Sequence, residues 1–231
     1  MPARLKCYIA LTMRPPSFHL SRRQLLGGLA SGLLLSTTAC NNNRSHTVNT
    51  LPAGASVLCL GDSLTFGFGA GTGPTYPQWL AQLTGLTVHN AGVNGDTSAG
   101  ALARLPDLLQ RHQPALVLLS IGGNDFLRRM PLSGTQQALT ELIQQASEQA
   151  QVIVVAEPQP AWLALATGTL SDHPIYAEVA KATHTPLYED GWSSVLSRAE
   201  WRSDQIHANA EGYKVFAHGL VDWLRKQKWV A

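Results

Sequence analysis

The chain has 231 residues, 45% of them apolar and 14% charged. That balance excludes a disordered polyelectrolyte, and 20 glycines without a three-residue period exclude a collagen-like rod. Residues 1–40 hold Arg4, Lys6, Arg14, Arg22 and Arg23 and no acidic side chain, so the remainder is slightly acidic and lacks the basic surface a nucleic-acid partner requires.

In chain order the first segment is an export signal. Ser21-Arg22-Arg23-Gln24-Leu25-Leu26 resembles a twin-arginine motif, with an ordinary Sec signal as the alternative. The apolar run at 25–39 is shorter than the ~20 residues that span a bilayer and suits the apolar region of a signal. Cys40 follows Thr38 and Ala39 and precedes three asparagines. This resembles a lipobox, which implies a lipidated cysteine at the mature N-terminus. The alternative is cleavage near Ala39 and release of a soluble periplasmic protein. The expected organisation is an export signal at 1–40, a polar tether at 41–54 and one domain at 55–231.

Within that domain, apolar runs alternate with helical patterns. Strands are predicted at 57–60, 86–91, 115–121, 152–156 and 186–188, and helices at 76–83, 99–111, 136–149, 176–182 and 209–228. Pro106 implies a kink or break in the second helix. Strands apolar throughout and separated by helices predict an α/β fold: a single three-layer αβα, doubly wound, flavodoxin-like domain around a parallel sheet of about five strands. Such sheets bind ligands outside the carboxyl ends of their strands. Cys59, inside the first strand, is the domain's one cysteine, so no internal disulfide is expected. No Cys/His cluster has zinc spacing, and no metal or organic cofactor is implied.

The strand ends carry the polar residues. Gly61-Asp62-Ser63-Leu64-Thr65 follows the first strand, Gly92-Val93-Asn94-Gly95-Asp96-Thr97 the second, and Gly122-Gly123-Asn124-Asp125 the third. Asp204-Gln205-Ile206-His207 precedes the last helix. A serine at a strand-to-helix turn exposes its hydroxyl near a helix N-terminus, and a histidine is its usual base. Asp204 and His207, three residues apart, can meet on one turn, where the carboxylate orients the imidazole. The Ser63 and Gly95 N–H groups and the Asn124 amide are candidate donors to an oxyanion.

These four blocks resemble the SGNH (GDSL) hydrolase superfamily over residues 56–228, and within it the bacterial periplasmic thioesterase, lysophospholipase and arylesterase group. The resemblance implies Ser63 as nucleophile, His207 as base, Asp204 as its partner, and Ser63, Gly95 and Asn124 as the oxyanion hole. It implies a serine esterase cleaving short- to medium-chain acyl esters, aryl esters, lysophospholipids or thioesters. An envelope polysaccharide or peptidoglycan O-acetylesterase is the alternative within enzymes, and a non-catalytic envelope-binding lipoprotein the alternative outside them. Gln205 and Ala208 stand where the family often has Gly and Pro, at positions that carry no chemistry. The segment 157–173 matches no substrate-covering loop of that group. Within it Trp162, Leu163 and Leu165 are candidates to line an acyl pocket, with plain packing as the alternative.

Other features have structural readings. The glycine-rich run 67–73 lacks the Lys-Ser/Thr ending of a phosphate loop and is expected to be a flexible loop beside Ser63. Asp62 is expected to cap its turn, Asp96 and Thr97 to cap the helix after the second strand, and Asp125 to order the loop around Asn124.

Overall fold

A computed structural model describes residues 50–160 and 169–231. The export motif, Cys40, Trp162, Leu163 and Leu165 lie outside the described residues. Five parallel strands form one sheet: β1 (Ser56–Gly61), β2 (Thr87–Gly92), β3 (Leu116–Ser120), β4 (Gln151–Val155) and β5 (Leu187–Tyr188). Their order is β2-β1-β3-β4-β5. The chain winds one way from β1 to β2 and the other way from β3 outward, which opens a crevice at the carboxyl ends of β1 and β3.

The helices are α1 (Ser63–Phe66), α2 (Tyr76–Thr84), α3 (Ser98–His112), α4 (Gly123–Leu127), α5 (Leu132–Ser147), α6 (Ile175–Thr183), α7 (Gly191–Leu196) and α8 (Ala210–Lys226). Successive strand residues point to opposite faces, so an unbroken apolar strand feeds two cores. Val57, Cys59, Leu116, Leu118, Ile153 and Val155 pack with residues of α2, α7 and α8. Leu58, Leu60, Val117, Leu119, Val152 and Val154 pack with residues of α3, α5 and α6. Trp192 and Phe216 stack at 3.6 Å in the first core. Burial pushes the Cys59 thiol up to about 12, which makes it a small inert hydrophobe rather than a nucleophile.

Several expectations are corrected. Helix α3 continues through Pro106, so the proline does not break it. The proline lies on the exposed face, where water can replace its missing N–H. Strand β2 is, with β5, an edge of the sheet, and none of its residues is fully buried, unlike the inner strands. Helix α5 begins four residues before the predicted 136, at Leu132. Thr50 and Leu51, placed by sequence in the tether, are docked: Leu51 is buried, its N–H bonds Trp229 O at 2.8 Å, and Thr50 Oγ1 bonds Lys228 O. Among the described residues no helix is long and apolar enough to cross a membrane.

Candidate active site

Three short connections at the sheet's carboxyl edge build the site. The first is the β1–α1 turn. Asp62 caps it as expected, its Oδ1 accepting from Leu64 N–H at 3.0 Å. Ser63 is the first residue of α1, so its own N–H has no partner within the helix and is free for a ligand. The glycine-rich run is better ordered than expected. Gly67 and Phe68 N–H both bond Ser63 O, Ala70 is buried, and Tyr213 Oη donates to Phe68 O at 2.7 Å.

The second connection is the loop before α8. Asp204 Oδ1 accepts from the N–H groups of Ile206 and His207, both at 2.8 Å, which shapes a tight turn. Its Oδ2 lies 2.7 Å from His207 Nδ1. His207 Nε2 lies 3.0 Å from Ser63 Oγ. The side chain of Asp204 is 46% exposed and that of His207 13%. Burial works to raise the Asp204 carboxyl, but the hydrogen bonds from His207 and from two backbone N–H groups outweigh it and hold the group below the usual carboxylate range. The ring of Phe68 tilts over His207 at 4.5 Å and covers one face of it.

The third is the β3–α4 turn. Gly122 has φ +123°, and a Cβ there would lie 2.8 Å from Tyr176 Oη, so only glycine fits. Asn124 follows on α4, and its Nδ2 donates to Asp62 Oδ2 at 3.0 Å. One amide hydrogen is thereby fixed and the other remains for a ligand. Asn124→Ala is expected to lower kcat by about 10²–10³-fold. Steady-state hydrolysis of p-nitrophenyl butyrate measures it, and an unchanged kcat would remove Asn124 from the oxyanion site.

Gly95 enters less directly. It sits at φ +74° in the β2–α3 connection, and its carbonyl accepts from Arg128 at 2.7 Å. Thr97 caps α3 as expected, through Gly100 N–H. Asp96 Oδ1 accepts from the Thr97 N–H at the start of α3 at 2.9 Å, and its Oδ2 pairs with Arg104 at 2.8 Å; Arg104 also holds the carbonyls of Ala91 and Gly61. Asp125 takes its expected role, accepting from Ser98 N–H, Ser98 Oγ and Thr135 Oγ1.

The sequence reading missed Phe68, which touches His207, and Glu157, which is buried at the end of β4. The one local signal for Glu157 was a carboxylate directly after a buried strand. A cleft opens over Ser63 and Asn124, walled by Leu64, Leu127, Pro158, Leu170, Leu196 and Ile206.

Asp62 titrates unusually. Burial pushes it up to about 7, against the hydrogen bonds from Leu64 N–H and Asn124 and with help from the Asp96 and Asp125 charges. The unfolded chain releases this proton near its ordinary value of ~3.9. The folded chain therefore holds the extra proton between about pH 4 and pH 7, and stability falls as pH rises through that window. Asp62→Asn is expected to shrink the fall, read as the urea midpoint at about pH 5 and about pH 8. An equal fall in both proteins would contradict the assignment.

The model of the GDSL-like Lipase/Acylhydrolase family matches residues 59–215, which contain every residue of this site. The chain belongs to that family. It is 33% identical over 182 residues to thioesterase 1/protease 1/lysophospholipase L1 of Escherichia coli strain K12, spanning 76% of this chain and 84% of that protein. It is 29% identical to an arylesterase of Vibrio mimicus, over 75% and 90% of the two chains. The crystal structure of TesA superposes with a TM-score of 0.63 at 30% identity, covering 74% of this chain and 98% of that one. This GDSL-family chain is an SGNH-type serine hydrolase of carboxylic esters, on the five-stranded parallel sheet of that fold.

Proposed function

We propose that Ser63, His207 and Asp204 are the catalytic triad of an esterase for short- to medium-chain acyl esters, aryl esters, lysophospholipids or thioesters. The observation that carries this is the unbroken series from Asp204 Oδ2 through both nitrogens of His207 to Ser63 Oγ. With Nδ1–H donated to Asp204, Nε2 presents its lone pair to the serine hydroxyl. Ser63 Oγ attacks the ester carbonyl as His207 takes its proton. The developing oxyanion is met by the Ser63 and Gly95 N–H groups and the free Asn124 hydrogen. His207 returns the proton to the leaving alcohol or thiol, then activates the water that releases the acid. The acyl chain lies along the apolar wall of Leu127, Leu170 and Ile206. The O-acetylesterase and binding-protein readings gain no support from the site or the relatives.

The same reading places the enzyme outside the cytoplasm, exported to the periplasm by residues 1–40 and held to a membrane through lipidated Cys40. Hydrolysis of p-nitrophenyl esters from acetate to palmitate, with Ser63→Ala as control, tests the substrate class. Turnover highest at short to medium chains and lost in the variant is expected. Turnover confined to acetate, or retained in the variant, would contradict the reading.

A further inference from the structure

Glu157 is a buried carboxyl that the triad does not use. It is 1% exposed at the end of β4. Its Oε2 accepts from Gly123 N–H at 2.7 Å and its Oε1 from Ser120 Oγ at 2.9 Å. Ser120 Oγ in turn accepts from Nε1 of the fully buried Trp192 at 3.1 Å. Glu157 is thus tied on one side to the hydrophobic core and on the other to the first residue of α4, immediately before Asn124.

It also faces the carboxyl that orients Asn124. A Cβ placed on Gly123 would lie 2.6 Å from Glu157 Oε2 and 3.6 Å from Asp62 Oδ2, so both acids crowd the one glycine. Burial pushes the Glu157 carboxyl well above its usual range, and the facing Asp62 pushes the same way, against the bonds from Ser120 and Gly123. An apolar side chain would fill this space without the cost of burying a carboxyl, but could not hold the Gly123 N–H.

We propose that Glu157 is a positioning residue for the oxyanion site: it pins the Gly123 N–H, fixes the first turn of α4 and so aims the Asn124 amide at the reacting carbonyl oxygen. This rests on the assignment of Asn124 as an oxyanion donor. The Asn124 amide is then held from two sides, by Asp62 through its Nδ2 and by Glu157 through the backbone that carries it.

The test compares kcat and KM on p-nitrophenyl butyrate for E157L, E157Q, N124A and the E157L/N124A double variant, with melting curves to confirm folding. A misplaced group costs up to ~10²-fold, so E157L is expected to lower kcat by about 10- to 100-fold, with KM little changed. E157Q keeps the acceptor for Gly123 and is expected to recover most of that loss. In the N124A background E157L is expected to cost less than about twofold more, because the group it positions is gone. G123A, whose Cβ presses on Glu157 Oε2, carries the same expectations should E157L fail to fold. Folded E157L or G123A with unchanged kcat, where N124A is impaired, would overturn the proposal, as would losses that multiply fully in the double variant. An unimpaired N124A would instead overturn the oxyanion assignment beneath it.

Discussion

Ser63→Ala is expected to lower kcat for p-nitrophenyl butyrate by about 10⁶-fold, and His207→Ala by about as much, while the double variant loses no more than either alone. In the proposed triad the two groups act as one unit. At 3.0 Å from Ser63 Oγ, His207 Nε2 is the group placed to take the hydroxyl proton, and a serine that keeps its proton is a poor nucleophile. Both residues lie at the surface of the crevice and away from the two cores, so the variants should melt with the wild type. Single-turnover rates measure the effect. Losses that multiply in the double variant would mean that Ser63 and His207 serve separate steps.

Asp204→Asn is expected to lower kcat by about 10⁴-fold without unfolding the turn. The two halves of the Asp204 carboxyl do different work. Oδ1 holds the N–H groups of Ile206 and His207, which an asparagine oxygen can also do. Oδ2 faces His207 Nδ1, where an asparagine amide would present a hydrogen instead. The ring would then carry its own proton on Nε2, facing Ser63, and could not act as base. Asp204→Ala loses both functions and should fall at least as far. Near wild-type kcat in the Asp204→Asn enzyme would show that the half-exposed carboxylate is dispensable for the tautomer.

What the sequence disclosed follows from how local each feature is. The inner strands are apolar on both faces, so they stand out as continuous runs, and their alternation with helices gives a parallel sheet. The Asp204–His207 spacing is a single turn, and Ser63 directly follows a buried strand. Each is visible within a few residues. The short helices α1, α4 and α7 were not foreseen, because four to six residues are too few to show a helical period. The glycine-rich run looked loose because its order comes from Tyr213, 145 residues away in sequence. Glu157 was overlooked for the same reason: its partners Ser120 and Gly123 are 37 and 34 residues distant, and nothing in the local pattern records them. Pro106 broke a local rule that solvent on the exposed face of α3 satisfies.

Catalysis through a covalent acyl-enzyme at Ser63 predicts a labelling pattern. Treatment of the purified protein with a fluorophosphonate, followed by peptide mass spectrometry, gives the pattern. The expected result is one adduct per chain, on the peptide that contains Ser63, formed in step with the loss of esterase activity and absent from Ser63→Ala. Inactivation with the adduct on another residue, or esterase activity that survives complete labelling of Ser63, would contradict it.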